Sequence, residues 1–174
     1  NAVDAAVATG FALAVTLPRA GNLAGGGFML IHLTRESKTI ALDFREVAPA
    51  RASRDMFLNL HGEVDNQLAR SSIKSSGVPG TVAGLLHAHE KYGQLPLKQV
   101  IQPAIDLASK GIIVNVDLAH SIVSRAKRLT KNSATKKYYF KSSDEFYKPG
   151  DTLVQTDLAD TIRRIAADGH AGFY

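Results

Sequence analysis

Cysteine is absent from this 174-residue chain. That excludes a disulfide scaffold, a thiolate zinc site, an iron–sulfur cluster and a cysteine nucleophile. It says little about compartment, because a disulfide-free protein can work on either side of a membrane. Fourteen glycines and six prolines are too few for a collagen-like or low-complexity chain. Acid is absent from one stretch: Arg125 to Lys141 carries Arg125, Lys127, Arg128, Lys131, Lys136, Lys137 and Lys141 unopposed. The remaining 14 basic and 16 acidic residues nearly balance, so the net charge of +5 is one local patch and not a basic fold. At 45% hydrophobic and 21% charged, the chain is otherwise ordinary for a soluble globular protein. A membrane-length run is also missing. The apolar stretch to Leu17 is interrupted by Asp4, Thr9 and Gly10 and falls short of the roughly 20 residues a span needs. Asp4 stands where a signal peptide would carry basic residues.

That Ala-rich stretch predicts a helix buried on most sides, with small side chains permitting close packing. A helix of that kind has limited room in a domain this size, and the chain opens on Asn1 without a Met. Both features suggest a piece of something larger. After a turn at Pro18–Asn22, Phe28–Thr34 is a nearly continuous apolar run that predicts a strand buried on both faces. A four-residue polar link, Arg35–Lys38, joins it to a second strand, Thr39–Phe44, as an antiparallel hairpin. Asp55–Ser76 is polar and Ser-rich, irregular or short-helical surface. Helices follow over Thr81–Tyr92, Leu97–Lys110 (kinked or divided by Pro103), Asn115 to about Leu129, and Asp157–Ala167 with Thr156 as cap. The basic segment is expected to be a loop. No repeat and no domain linker interrupts residues 1–174, and the order is α+β: a buried helix, a β-hairpin and a helical layer.

Few constellations carry chemistry. Asp43 and Arg45 in Asp43-Phe44-Arg45-Glu46 lie two apart on a strand and share a face. An arginine at the end of a buried strand needs a partner, and its planar fork suits a carboxylate. It is either a substrate-carboxylate clamp oriented by Asp43 or an internal ion pair, and the residues alone favour the pair. Gly25-Gly26-Gly27 precedes a strand with no Lys-Ser/Thr behind it, so it marks close backbone approach and not a phosphate loop. Ser71-Ser72-Ile73-Lys74 matches the acyl-serine pattern but lacks a Lys-Thr-Gly partner. His87 and His89 are two apart on a helix and face different ways, so no metal site is expected. Basic residues ending in Tyr138-Tyr139-Phe140 can bind single-stranded nucleic acid. A solvated segment with its aromatics tucked inward is the more common outcome.

Several stretches occur in a familiar order and spacing: Asn1-Ala2-Val3-Asp4-Ala5-Ala6-Val7-Ala8, Leu17-Pro18-Arg19-Ala20-Gly21-Asn22, Gly25-Gly26-Gly27-Phe28-Met29 and Asp43-Phe44-Arg45-Glu46-Val47-Ala48-Pro49. Gly77-Val78-Pro79-Gly80-Thr81-Val82-Ala83-Gly84-Leu85, Tyr92-Gly93-Gln94-Leu95-Pro96-Leu97 and Gly150-Asp151-Thr152-Leu153-Val154-Gln155 continue the series. Together they resemble the large subunit of gamma-glutamyltranspeptidases, most densely from Asn1 to Val114.

The resemblance implies part of an N-terminal nucleophile hydrolase αββα sandwich. It implies a precursor that cuts itself in two, the new N-terminal Thr of the small subunit serving as nucleophile and its α-amine as base. That Thr attacks the γ-glutamyl amide of glutathione and related compounds, and water or an amino acid or peptide amine releases the ester. By the same resemblance Arg45 binds the α-carboxylate of the γ-glutamyl group, with Asp43 and Glu46 supporting it. No catalytic residue, metal or cofactor is expected on residues 1–174, read as a partial large-subunit domain without an internal boundary. The expected partners are the γ-glutamyl substrate and the small subunit, with no nucleic acid and no membrane span. The chain alone should be inactive and prone to self-association, and the setting periplasmic, secreted or cell-surface. Ala24 departs from the family, where the glycine run is often four long. A cephalosporin acylase or poly-γ-glutamate-processing relative is one alternative. A non-catalytic module that binds acidic ligands through Arg45 and the basic segment is another.

Overall fold

Asn1 opens the first helix, α1 (Ala2–Thr16), because its side-chain oxygen accepts from the backbone N–H groups of Val3 and Asp4, each at 2.9 Å. The structure is a computed structural model that describes residues 1–142 and 145–174. Its elements continue with β1 (Phe28–Leu33), β2 (Lys38–Asp43), α2 (Asn66–Ser71), α3 (Thr81–Tyr92), α4 (Leu97–Lys110), β3 (Ile112–Ile113), α5 (Val116–Leu129), α6 (Ser133–Tyr139), β4 (Thr152–Leu153) and α7 (Thr156–Asp168). The layout is α+β, as the order of patterns implies. Contacts gather the chain into two compact units, Asn1–Asn22 with Leu85–Tyr174, and Leu23–Gly84. One junction follows the turn after α1 and the other falls inside α3, so neither coincides with a Pro- or Ser-rich linker. No helix among the described residues is long and apolar enough to cross a membrane.

In the first unit α4 is the central helix, packed against α1 and α7. Ala104 and Ala108 on its buried face let those neighbours approach, and Phe11, Ile101, Ile162 and Ile165 fill the core. Helix α4 runs through Pro103 undivided. Pro103 and Gln99 are both exposed, so the carbonyl left without its N–H partner is on the solvent side. Helix α1 buries Val7, Phe11, Ala14 and Val15, while Ala2, Ala5, Ala6 and Leu13 remain exposed on this chain. Asn115 caps α5 through Leu118 N–H at 2.8 Å, as its position predicts. Thr156 does not cap α7. It is the first helical residue, and Gln155 precedes it with its amide donating 3.0 Å to the carbonyl of Val15. The basic segment is helical, not a loop: α5 extends to Leu129, and Asn132 caps a further helix, α6, by accepting from Thr135 N–H at 3.1 Å.

The second unit is built on the hairpin. β1 and β2 pair antiparallel, with Phe28 opposite Asp43 and Leu33 opposite Lys38. Ser37, in the left-handed region at φ 49°, closes the turn. The ladder runs one pair beyond the strands, because Gly27 and Phe44 exchange both backbone bonds, at 3.3 and 3.0 Å. The expectation of a strand buried on both faces is corrected here. Ile31 is buried, but Phe28 is 67% and Leu30 75% exposed. Among the described residues the hairpin's sheet has two strands, and its Phe28–Leu30 face is left bare.

Asp4 is the buried charge of the first unit, 3% exposed. Its carboxylate accepts from Gln94 N–H, 3.1 Å to each oxygen, and from Leu95 N–H at 3.3 Å, so it ties the start of α1 to the α3–α4 turn. Gly93 must lack a side chain there, since a Cβ would stand 2.6 Å from the His89 carbonyl oxygen and 2.8 Å from Asp4 Oδ1. Burial pushes the Asp4 carboxyl up, but the N–H groups of Gln94 and Leu95, together with the ammonium of Asn1, outweigh it and the net shift is downward. A carboxylate lowered on folding stabilises above its unfolded pKa, and that contribution is lost as pH falls through the folded value. In the full-length protein, Asp4→Asn should lower Tm by several degrees near neutral pH, with the gap to wild type closing below about pH 4. A gap that stays constant into acid would contradict this.

Candidate functional site

The second unit carries the Asp43–Arg45 constellation, and its geometry begins with glycine. Strand β2 ends at Asp43, and the chain continues through Phe44, Arg45 and Glu46 between two glycine-bearing segments. On one side is Gly26, where a Cβ would lie 2.5 Å from Arg45 Cα, and Gly27, where it would lie 2.9 Å from the Phe44 ring. On the other are Gly77, against Glu46 Cβ at 3.0 Å, Gly80, where a Cβ would overlap the Phe44 carbonyl, and Gly84, where it would overlap the Phe44 ring. Backbone bonds close the slot. Val47 and Val78 bridge at 3.2 and 2.8 Å, and the N–H groups of Gly80 and Thr81 both donate to the carbonyl of Gly25, at 2.7 and 3.0 Å. The glycine run therefore serves close backbone approach, as read from its place before a strand. Ala24 is exposed and leaves that approach intact. The Gly77, Gly80 and Gly84 spacing is a further signal of the slot, one that a reading of Gly77–Gly80 as a helix start passes over.

With its backbone held, Arg45 meets Asp43 three times. The backbone N–H and Nε each donate to Asp43 Oδ1 at 3.1 Å, and Nη2 donates to Oδ2 at 2.8 Å. The Phe28 ring lies under the guanidinium, 4.9 Å from centroid to Cζ. The hydrogen bonds from Arg45 hold the Asp43 carboxyl below its usual range, and Asp43 raises the Arg45 guanidinium further. Arg45 and Asp43 side chains are 63% and 53% exposed, which departs from the buried arginine expected at the end of a buried strand. The strand face on which they sit is the one this chain leaves bare. An ion pair this exposed adds little to stability; its consequence is to fix the direction of the fork. Glu46 makes no hydrogen bond to the Arg45 side chain among the described residues and acts on it only through its charge.

The other candidates are not brought together. Ser72 donates to the Leu68 carbonyl at 2.6 Å, and Lys74 is exposed in a short turn, so the Ser71–Lys74 pattern forms no site. His87 is exposed, and His89 Nε2 donates to the Leu95 carbonyl at 2.8 Å. No group of three or more metal-ligating side chains forms among the described residues. In the basic segment Lys141 pairs with Asp151 at 2.7 Å. Phe140 is buried against Phe146, with ring centroids 5.1 Å apart, and burial pushes both the Tyr138 and Tyr139 phenols up. The aromatics are tucked inward.

By its match to solved structures, the chain has the fold of an N-terminal nucleophile hydrolase large subunit. The whole chain superimposes on the structure of Helicobacter pylori gamma-glutamyltranspeptidase with a TM-score of 0.97 and 47% identity, covering half of that chain. The Pseudomonas nitroreducens gamma-glutamyltranspeptidase complexed with L-DON gives a TM-score of 0.90 at 41% identity, again over half of its chain. The glutathione hydrolase proenzyme of Escherichia coli (strain K12) is 51% identical over all 174 residues. The Gamma-glutamyltranspeptidase family model matches residues 1–174, and the chain belongs to that family. It spans about 30% of the length of the curated relatives it matches.

The slot makes a prediction with an inverted sign. Inside a helix, Gly→Ala ordinarily gains about 0.5–1 kcal/mol. Gly84→Ala should instead cost about 1–3 kcal/mol, because its methyl must displace the Phe44 ring. A higher Tm for this variant of the full-length protein would contradict the slot.

Proposed function

We propose that the full-length protein cleaves γ-glutamyl amides, glutathione among them, and that this chain supplies the group that recognises the α-carboxylate of the γ-glutamyl moiety. The observation that carries the reading is the Arg45 guanidinium. A guanidinium has five N–H donors in a planar fork. Asp43 takes one from Nε and one from Nη2, which leaves three for a second carboxylate, both of those on Nη1 included. Bidentate recognition of a planar anion is what that edge suits best.

The reaction needs a nucleophile and an oxyanion hole as well. We assign these to a small subunit of the same precursor. Its N-terminal Thr hydroxyl attacks the amide carbonyl while its own α-amine takes the proton. The α-amine returns that proton to the departing amine as the C–N bond breaks, and the γ-glutamyl group of the resulting ester passes to water or to another amine, freeing the Thr hydroxyl. The bare face of the hairpin, with Phe28 and Leu30 outward, is the apolar surface such a subunit would cover. In the isolated chain the same face favours self-association. The proposed setting is the periplasm, the cell surface or the medium, which rests on kinship alone.

Two outcomes follow for the full-length protein. Arg45→Ala should lower kcat/KM for a γ-glutamyl anilide by about 30-fold or more, mostly through KM. Arg45→Lys should recover only part of that, since a point charge cannot replace the fork. Unchanged kcat/KM in either variant would remove the assignment. N-terminal sequencing of the mature protein should give two chains, the smaller beginning with Thr. A single uncut chain would mean that the fold is kept without this chemistry.

A further inference from the structure

We infer that Phe28 is a positioning residue for Arg45, setting the plane in which the guanidinium meets its carboxylate; the inference rests on the reading of Arg45 given above. Phe28 is a large apolar side chain left 67% exposed on this chain, and cover by a small subunit would not by itself decide which residue stands beside Arg45. Register does. Phe28 stands directly opposite Asp43 on the hairpin, and Arg45 lies two residues beyond Asp43 on the same face. Asp43 grips one edge of the guanidinium through Nε and Nη2. Asp43 alone leaves the group free to swing about that edge. The Phe28 ring beneath it, 4.9 Å from centroid to Cζ, supplies the missing constraint, because the negative face of the ring attracts the cation. Edge and face together fix a fork whose side chain otherwise has four rotatable bonds.

Ring and partner are themselves pinned. The Gly27–Phe44 backbone pair sits one step before Phe28 and one step after Asp43, and the glycine slot holds Arg45 Cα. The device is thus part of the hairpin and does not depend on a mobile loop.

The test is a series at one position in the full-length protein: Phe28→Leu, Phe28→Tyr and Phe28→Trp, assayed with a γ-glutamyl anilide. Phe28→Leu should raise KM about three- to tenfold with kcat within about twofold. Phe28→Tyr and Phe28→Trp should restore KM to near wild type, because both keep a ring face. A KM that does not follow the presence of a ring would overturn the inference, as would a loss in kcat alone. Each variant is checked for an unchanged Tm, and Phe28→Met supplies the ringless comparison if Leu fails to fold. Arg45→Ala separates the two ideas. If it leaves KM unchanged, the reading of Arg45 fails; if it raises KM while Phe28→Leu does not, only the positioning role fails.

Discussion

Phe44 leaves its neighbours room for nothing larger than hydrogen. Gly27 meets its ring from the strand side, Gly84 from the first turn of α3, and Gly80 lies on its carbonyl. This steric constraint fixes the backbone of the segment that leaves β2. From it follow the closeness of Gly26 to Arg45, the bridge from Val47 to Val78 and the pair of bonds to the Gly25 carbonyl. A backbone held this tightly can present a long, exposed side chain with little freedom at its root. Asp43 and Phe28 then limit the freedom at its tip. The root of Arg45 is held by packing beneath it, although Arg45 and Asp43 are exposed on this chain. That is the preorganisation a recognition group needs, and an exposed ion pair alone does not supply it.

The first unit uses a different device. A buried carboxylate, Asp4, gathers the backbone N–H groups of the α3–α4 turn and so ties the start of α1 to that turn. Gln155 does the same at the other end of α1 through the Val15 carbonyl. Between them Phe11 and Val15 pack in the core with α4, whose alanines allow the approach. Both polar anchors are satisfied, so neither carries the cost of an unpaired buried group.

Much of this was legible in the sequence where local chemistry decides the outcome. The hairpin followed from two apolar runs and a short polar link, and α3, α4 and α5 from periodicity and caps. The Asp43–Arg45 pairing followed from a spacing of two. What was not legible depends on residues far apart. Asp4 reads as an obstacle to a signal peptide until Gln94 and Leu95 are beside it. The short β3–β4 pair joins segments some 40 residues apart with only two residues on each strand, too few to show a pattern. Helix α6 was hidden by its lysines, whose charge suggests a loop although lysine is a good helix former. The exposed face of β1 lies beyond such a pattern, because a continuous apolar run reports that something covers both faces without saying that it belongs to the same chain. Arg45 illustrates the limit for function. Residues alone favoured an internal ion pair, and the resemblance to gamma-glutamyltranspeptidases favoured a clamp. The geometry contains the pair and leaves three N–H donors beyond it.

The central claim is that this remaining edge of Arg45 receives the α-carboxylate of a γ-glutamyl group. A crystal structure of the full-length protein with glutamate bound tests it most directly. The account predicts both carboxylate oxygens within hydrogen-bond distance, about 3 Å, of Arg45 Nη1 and Nη2, with Asp43 still bound at Nε. A glutamate whose α-carboxylate is held by another cation, with the Arg45 fork turned away, would contradict it.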